Sequence, residues 1–370
     1  MANLRVRFLE DIMGQLPELR HLDPASSSLP KRVDLFICAL GFEPRCLTIP
    51  EALSQEGPRA SKAIYCQYST NAQDNGVNRG RLLESLQRIA AQTVSLEADD
   101  VLFTQRLREL FVEPPDRVES ADRAILVDVS VMANRVLMRV MKSLLETDRQ
   151  VIILYSEAAT YHPSSQEYHS APGQWSSDSS LGLERGVSSV AVSGDYPGYH
   201  LDQLPDCVLL FPSFKNERAR AVIGRVDPAL AVGNTDLDKI VWFLGVPHRS
   251  ENRWRLAAMR EINAVKSDAV QYEVDTFDYR ESLRKLEHVY VERVGKYRFS
   301  LAPMGSKMQA IGAALFAYLH QDVAVVFATP FEYNAAHYSD GCLDRWMIDF
   351  GNMERVRSLL DSVGMLTVED

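Results

Sequence analysis

The sequence predicts an α/β chain: two tandem Rossmann-like, doubly wound domains related by internal duplication. Three observations predict it. Short runs of β-branched and aliphatic residues alternate with amphipathic stretches, as in parallel strands joined by helices. Some runs, at 124–129 and 151–155, are apolar throughout, which suits strands covered on both faces. Five blocks recur in the same order, roughly 174 positions apart, and their polar residues match as well as their apolar ones.

The first block pairs the strand VDLFICAL and its turn GFEPRC with DCVLLF and PSFKNERARAVI. Next, KAIYCQY is matched by KIVWFLGV, and the following Asn78-Arg79 falls on Asn252-Arg253. VSLEADDVLFTQRLREL answers to VQYEVDTFDYRESLRKL. AILVDVSVMANRVLMRVMKSLL answers to YRFSLAPMGSKMQAIGAALFAYL, with Met132 opposite Met304. LERGVSSVAVSG and CLDRWMIDFG then stand as closing strands. After Met132, residues Val136, Leu137, Val140, Met141, Leu144 and Leu145 keep a helical period, as do Ile311, Ala314, Leu315, Tyr318 and Leu319. On this reading 1–30 is an N-terminal extension, expected to be helical. Residues 31–203 form the first repeat and 204–370 the second. The Ser-rich segment 160–182 is an insertion in the first repeat, expected to be a surface excursion.

Composition narrows the function. The 370 residues are 46% hydrophobic and 24% charged, ordinary for a chain that buries a full core. No apolar run reaches the ~18 residues of a membrane span. Glu10 and Asp11 fall where a signal peptide needs its apolar centre, so the expected location is cytoplasmic. Forty basic against fifty acidic residues give a net charge of −10, which argues against non-specific duplex DNA binding. The five cysteines form no CxxC pair, so neither a zinc site nor a disulfide framework is expected. Among His162, His169, His320 and His337 no metal-ligand spacing stands out, and no motif calls for a cofactor.

Open α/β sheets bind ligands beyond the carboxyl ends of their strands, so the turns there are the candidates. In LAPMGSKMQ, Gly305 permits a close backbone turn, and Ser306 and Lys307 start a helix whose amides suit an anion. The alternative is a well-capped helix with a solvated lysine. The matching turn of the first repeat offers Ser130 and Arg135 but no glycine; Arg135 could equally form a surface ion pair. Phe42 could stack on a base and Arg45 hold a phosphate, unless Arg45 pairs with Glu43 and Phe42 is core. Phe214 and Lys215 occupy the same slot in the second repeat. His248 and Arg249 follow the next strand, where a histidine could act as acid or base on a phosphodiester. His248 and Ser306 are the catalytic candidates.

The turn Met304-Gly305-Ser306-Lys307-Met308 resembles the Gly-Gly-Thr-Lys-x-Met turn of the CARF domains of prokaryotic defence systems. Two such units in one chain resemble the related SAVED sensors. Met304 stands where the motif has its first glycine, and the first repeat lacks the motif. The resemblance implies a cleft between two Rossmann-like repeats that takes a nucleotide-derived ligand, such as a cyclic oligonucleotide, in anti-phage defence. The two repeats leave no separate effector domain in the sequence, so a partner effector protein is expected. Three readings stay open: a sensor, a phosphodiesterase or ring-nuclease-like hydrolase of such a ligand, and a ligand-free assembly subunit of a defence complex.

Overall fold

The computed structural model of the chain describes residues 4–22, 29–111, 124–170, 183–200, 203–231 and 237–368. Its principal strands are β1 (Arg20–His21), β2 (Arg32–Ala39), β3 (Arg59–Gln67), β4 (Ala90–Glu97), β5 (Ile125–Asp128), β6 (Gln150–Ser156) and β7 (Ser189–Pro197). They continue with β8 (Asp206–Phe211), β9 (Ile240–Val246), β10 (Val270–Asp275), β11 (Arg298–Pro303), β12 (Ala324–Thr329) and β13 (Arg345–Asn352). The helices are α1 (Thr48–Glu56), α2 (Arg79–Ile89), α3 (Phe103–Phe111), α4 (Asn134–Leu145) and α5 (Ser165–Ser170). After them come α6 (Asn216–Val226), α7 (Trp254–Ile262), α8 (Tyr279–Arg293), α9 (Lys307–Leu319) and α10 (Met353–Asp361).

Two mixed sheets result, each mostly parallel. The first has the order β1-β13-β6-β5-β2-β3-β4 and the second β7-β12-β11-β8-β9-β10. From β2 to β6 and from β8 to β12 the neighbours are parallel. Strands alternate with helices as the sequence predicts, and both cores have the Rossmann-like α/β form. The central strands are apolar because both faces are covered: Phe36, Ile37, Leu126 and Val127 in the first sheet are fully buried, as are Val208, Leu210, Phe243 and Leu301 in the second. Of the periodic positions, Val136, Leu137, Val140, Met141, Leu144 and Leu145 are buried along α4, and Ile311, Ala314 and Leu315 along α9.

The domain boundaries differ from those read in the sequence. One compact unit comprises Met1–Thr160 with Ser339–Asp370, the other Tyr161–Tyr338. The reason lies in the closing strands. β7, the closing strand of segment 31–203, pairs antiparallel with β12, Ser189 opposite Thr329. β13, the closing strand of segment 204–370, pairs antiparallel with β6, Arg345 opposite Ser156. Each sheet is therefore finished by the closing strand of the other segment.

The N-terminal extension is not mainly helical. Leu4–Val6 pairs with Leu366–Val368, β1 extends the first sheet beside β13, and among the described residues of the extension Glu10–Met13 alone makes a helical turn. Part of the Ser-rich insertion, 171–182, lies outside the described residues. Its start is not a loose excursion: 165–170 forms α5, whose Tyr168 packs with Phe214, Ala258 and Ile262. Cys38, Cys46, Cys66 and Cys207 are buried, and burial pushes the Cys46, Cys66 and Cys207 thiols up to about 12. Among the described residues no helix is long and apolar enough to cross a membrane.

Helices α8 and α9 meet at backbone distance. A Cβ on Gly312 would collide with the carbonyl of Tyr279 and come within 2.8 Å of Ser282 Cβ. Gly80, in α2, has open space where a Cβ would go. Two glycine substitutions should thus have opposite effects. Gly312→Ala is expected to cost about 1–3 kcal/mol by forcing the helices apart, and Gly80→Ala to gain about 0.5–1 kcal/mol of helix propensity. Urea or thermal unfolding of the two variants checks both signs.

Candidate functional site

The second sheet reverses its strand order at β8, which lies between β9 and β11. Turns leaving two such strands diverge and open a crevice at their carboxyl ends. A cavity of about 220 Å³ lies there, wholly within the second unit. Its wall takes Phe214 and Lys215 from the turn after β8, Thr276 from the turn after β10, and Gly305 and Ser306 from the turn after β11.

Four charged residues line it: Glu184, Lys215, Arg218 and Arg255, three cations against one carboxylate. Glu184 belongs to the two-residue strand Glu184–Arg185, pinned antiparallel to Glu332–Tyr333. Its Oε2 accepts from Arg218 Nη1 at 3.1 Å and its Oε1 from Ser213 Oγ at 2.9 Å. Its backbone carbonyl accepts from Lys215 Nζ at 2.8 Å. Arg218 also donates to the Ala328 carbonyl at 2.8 Å. Burial would lower the Arg218 guanidinium, but the Glu184 charge outweighs it and holds it above its ordinary value. Lys215 is 3% exposed and its next carboxylate, Glu217, is 3.8 Å away.

Arg255 is different. Among the described residues its guanidinium donates to backbone carbonyls, of Tyr161 at 3.3 Å, His162 at 3.2 Å and Pro163 at 2.8 Å. It lies 4.4 Å from the Phe214 ring centroid and 5.3 Å from that of Trp254. Burial outweighs the opposing charge of Tyr161 and pulls its value down to about 10, so it remains charged at neutral pH.

The predicted anion turn is built as a cap. Ser306 Oγ accepts from the Gln309 amide at 3.2 Å and donates to the Thr276 carbonyl at 2.7 Å. Gln309 Oε1 in turn accepts from the Ser306 amide at 2.9 Å, completing a capping box. The glycine is needed for this arrangement, because a Cβ on Gly305 would collide with Gln309 Oε1. Lys307 is not in the cavity wall. His248 is exposed, its ring 3.8 Å from that of Phe277, and Arg249 pairs with Glu251 at 2.5 Å; neither lines the cavity.

The remaining candidates lie in the first unit, and the alternatives weighed for its two arginines are the ones seen. Arg45 is buried against Glu43, Nε to Oε2 at 2.9 Å, and donates to the Ser156 carbonyl at 3.1 Å. Phe42 sits beside it, partly buried, with its carbonyl accepting from Asn78 at 3.0 Å. Arg135 pairs with Asp99. Ser130 is fully buried: its hydroxyl donates to Asp128 Oδ1 and accepts from the Ser156 amide at 2.8 Å. Burial pushes the Asp128 carboxyl up to about 6, against the hydrogen bonds from Ser130 and the charge of Arg45.

The structure thus gathers Phe214, Lys215, Gly305 and Ser306 around one cavity, and adds Arg255, Arg218 and Glu184, which sequence reading did not single out. Arg255 sits in the first turn of α7, past the loop on which attention fell. Its signal was an arginine next to Trp254 just after a strand-following turn.

No known protein family and no curated protein matches the sequence. Among solved structures the chain is similar to a type III CRISPR defence DNA nuclease activated by cyclic oligoadenylate, at 12% identity and a TM-score of 0.43. The similarity covers 77% of this chain and 64% of the nuclease chain, so this chain spans under two thirds of its length. It is also similar to the cytoplasmic domain of a prokaryotic cation chloride cotransporter, at 8% identity and a TM-score of 0.24, over 82% of this chain and 99% of that one.

Asp128 gives the first unit a pH signature. Between pH 4 and 6 the folded state keeps the Asp128 proton while the unfolded chain releases it, so stability falls as pH rises through that window. Asp128→Asn removes this loss. Relative to wild type the variant is expected to gain about 2–3 kcal/mol in going from pH 4 to pH 7, read by urea unfolding at each pH. A wild-type-to-variant difference that stays constant with pH contradicts the assignment.

Proposed function

We propose that this protein is a sensor for an anionic, nucleotide-derived ligand of a prokaryotic defence system, and that the second unit's cavity holds part of that ligand. The observation that carries the reading is Arg255, a charged guanidinium on the cavity wall whose described partners are carbonyls and two aromatic rings. The wall's excess of cations supports it, in a chain whose net charge is −10. So do the place of the cavity at a reversal of strand order and the resemblance of the Met304–Met308 turn. The strand order of the two sheets, the same apart from the additional edge strand β1 in the first, supports the duplication.

At about 220 Å³ the cavity is smaller than the ~300–1,000 Å³ that encloses a whole drug-sized ligand. It fits one phosphate with its sugar or base, and the rest of a larger ring lies outside. The wall holds three cations and an aromatic face, and the Ser306 hydroxyl is already spent on the cap. Binding therefore has more support than hydrolysis, and signalling runs through a partner effector.

Thermal unfolding with cyclic dinucleotides and with cyclic tri-, tetra- and hexa-adenylate tests the reading. At a hundred times the dissociation constant a bound ligand adds about 2.7 kcal/mol, a shift of several degrees. Arg255→Gln is expected to weaken the effective ligand at least tenfold. A transition unmoved by every probe overturns the sensor in favour of the ligand-free subunit, and a ligand that mass spectrometry finds cleaved overturns it in favour of the hydrolase.

A further inference from the structure

The second unit holds another cluster of chemically active side chains, made of two histidines and one glutamate. His162 follows Tyr161, Glu167 lies in α5, and His337 ends the short 3₁₀ turn Ala335–His337. His162 Nδ1 is 3.1 Å from Glu167 Oε2, and His337 Nε2 is 3.0 Å from Glu167 Oε1. One nitrogen of each ring and the carboxylate all lie within 4.8 Å of one another. The two rings lie 4.0 Å apart at 31°. The His162 amide donates to the Tyr338 carbonyl at 3.1 Å, which fixes one histidine's strand against the other's turn.

The carboxylate is held in place. The Ser164 amide donates to Glu167 Oε2 at 2.5 Å. His162 is 14% exposed, while Glu167 and His337 are each 35% exposed, so the cluster is formed inside but reachable from solvent.

We propose that His162, Glu167 and His337 form a binding site for one zinc-class divalent ion, through His162 Nδ1, His337 Nε2 and the Glu167 carboxylate. Two imidazoles and a carboxylate suit zinc, with cobalt as its spectroscopic substitute, and disfavour magnesium and calcium, which take oxygen ligands. Tetrahedral ligands about 2.1 Å from an ion lie roughly 3.4 Å apart, close to the 3.0 and 3.1 Å between nitrogen and oxygen here. Three protein ligands leave a fourth position to water. Spacing in the sequence hid this set, because His337 is remote from the other two and only the fold unites them.

The ion would also brace the nucleotide cavity. Tyr161 and Tyr338 line the cavity and adjoin the two histidines in sequence, and the carbonyls of 161–163 hold Arg255.

The test uses the full chain, stripped with a chelator and titrated with zinc alone by calorimetry, and with cobalt by visible absorption. The expected result is one ion per chain at this site, tetrahedral cobalt bands, and no response to magnesium. His337→Ala and Glu167→Gln should each weaken zinc at least ~10-fold. His169→Ala should leave it unchanged, since that ring is bonded to its own helix at the Ser165 carbonyl. Absence of zinc binding overturns the site, and so does binding that both ligand variants retain at full strength. No nucleotide enters the assay, so failure of the sensor reading leaves this result untouched.

Discussion

One carboxylate organises the cavity of the second unit. Glu184 takes Arg218 and Ser213 on its side chain and Lys215 on its backbone carbonyl, and all four are nearly or largely out of water. A buried charge survives only with such partners, and removing one side of a buried pair leaves the other stranded at a cost of about 3–5 kcal/mol. Glu184 can neutralise one cation. Lys215 lies 3.8 Å from Glu217, while Arg255 meets backbone carbonyls and ring faces, so the wall carries more cations than carboxylates although the chain as a whole is acidic.

The first unit shows the same sheet with the opposite electrostatics. In its matching turns Arg45 faces Glu43, Arg135 faces Asp99, and the Ser130 hydroxyl closes on Asp128. Each cation has its own carboxylate. Apart from β1 the strand order is common to both sheets, yet the second unit's cavity has three cations and one carboxylate on its wall. Fold alone does not place a binding site; the local balance of acids and bases does.

Most of the fold was legible in the sequence because helix and strand periods are local signals. The runs at β5, β6, β8 and β11 and the helices α4 and α9 announce themselves through apolar spacing. The closing strands were visible as strands, but not their destinations, because pairing partners are a matter of the whole chain. The site was half legible. Phe214, Lys215, Gly305 and Ser306 follow strands, where α/β sheets place their ligands. The reason for Gly305 was not legible: it clears room for the Gln309 side chain, a three-dimensional fact. Nor was Arg255, whose partners among the described residues, three carbonyls and two rings, show only when its neighbours are in place. The histidine pair escaped for the same reason, because its members meet across almost the full length of the second unit.

The first unit is split in sequence, and β6 receives its antiparallel neighbour β13 only from residues 345–352. During synthesis on the ribosome that edge emerges with its amides and carbonyls unpaired, and it stays so while nearly two hundred further residues are made. The contiguous second unit can close in the meantime. An exposed parallel edge is the kind of surface that invites chaperones or a wrong strand, so the order of translation makes the first unit the late and vulnerable half of the nascent protein.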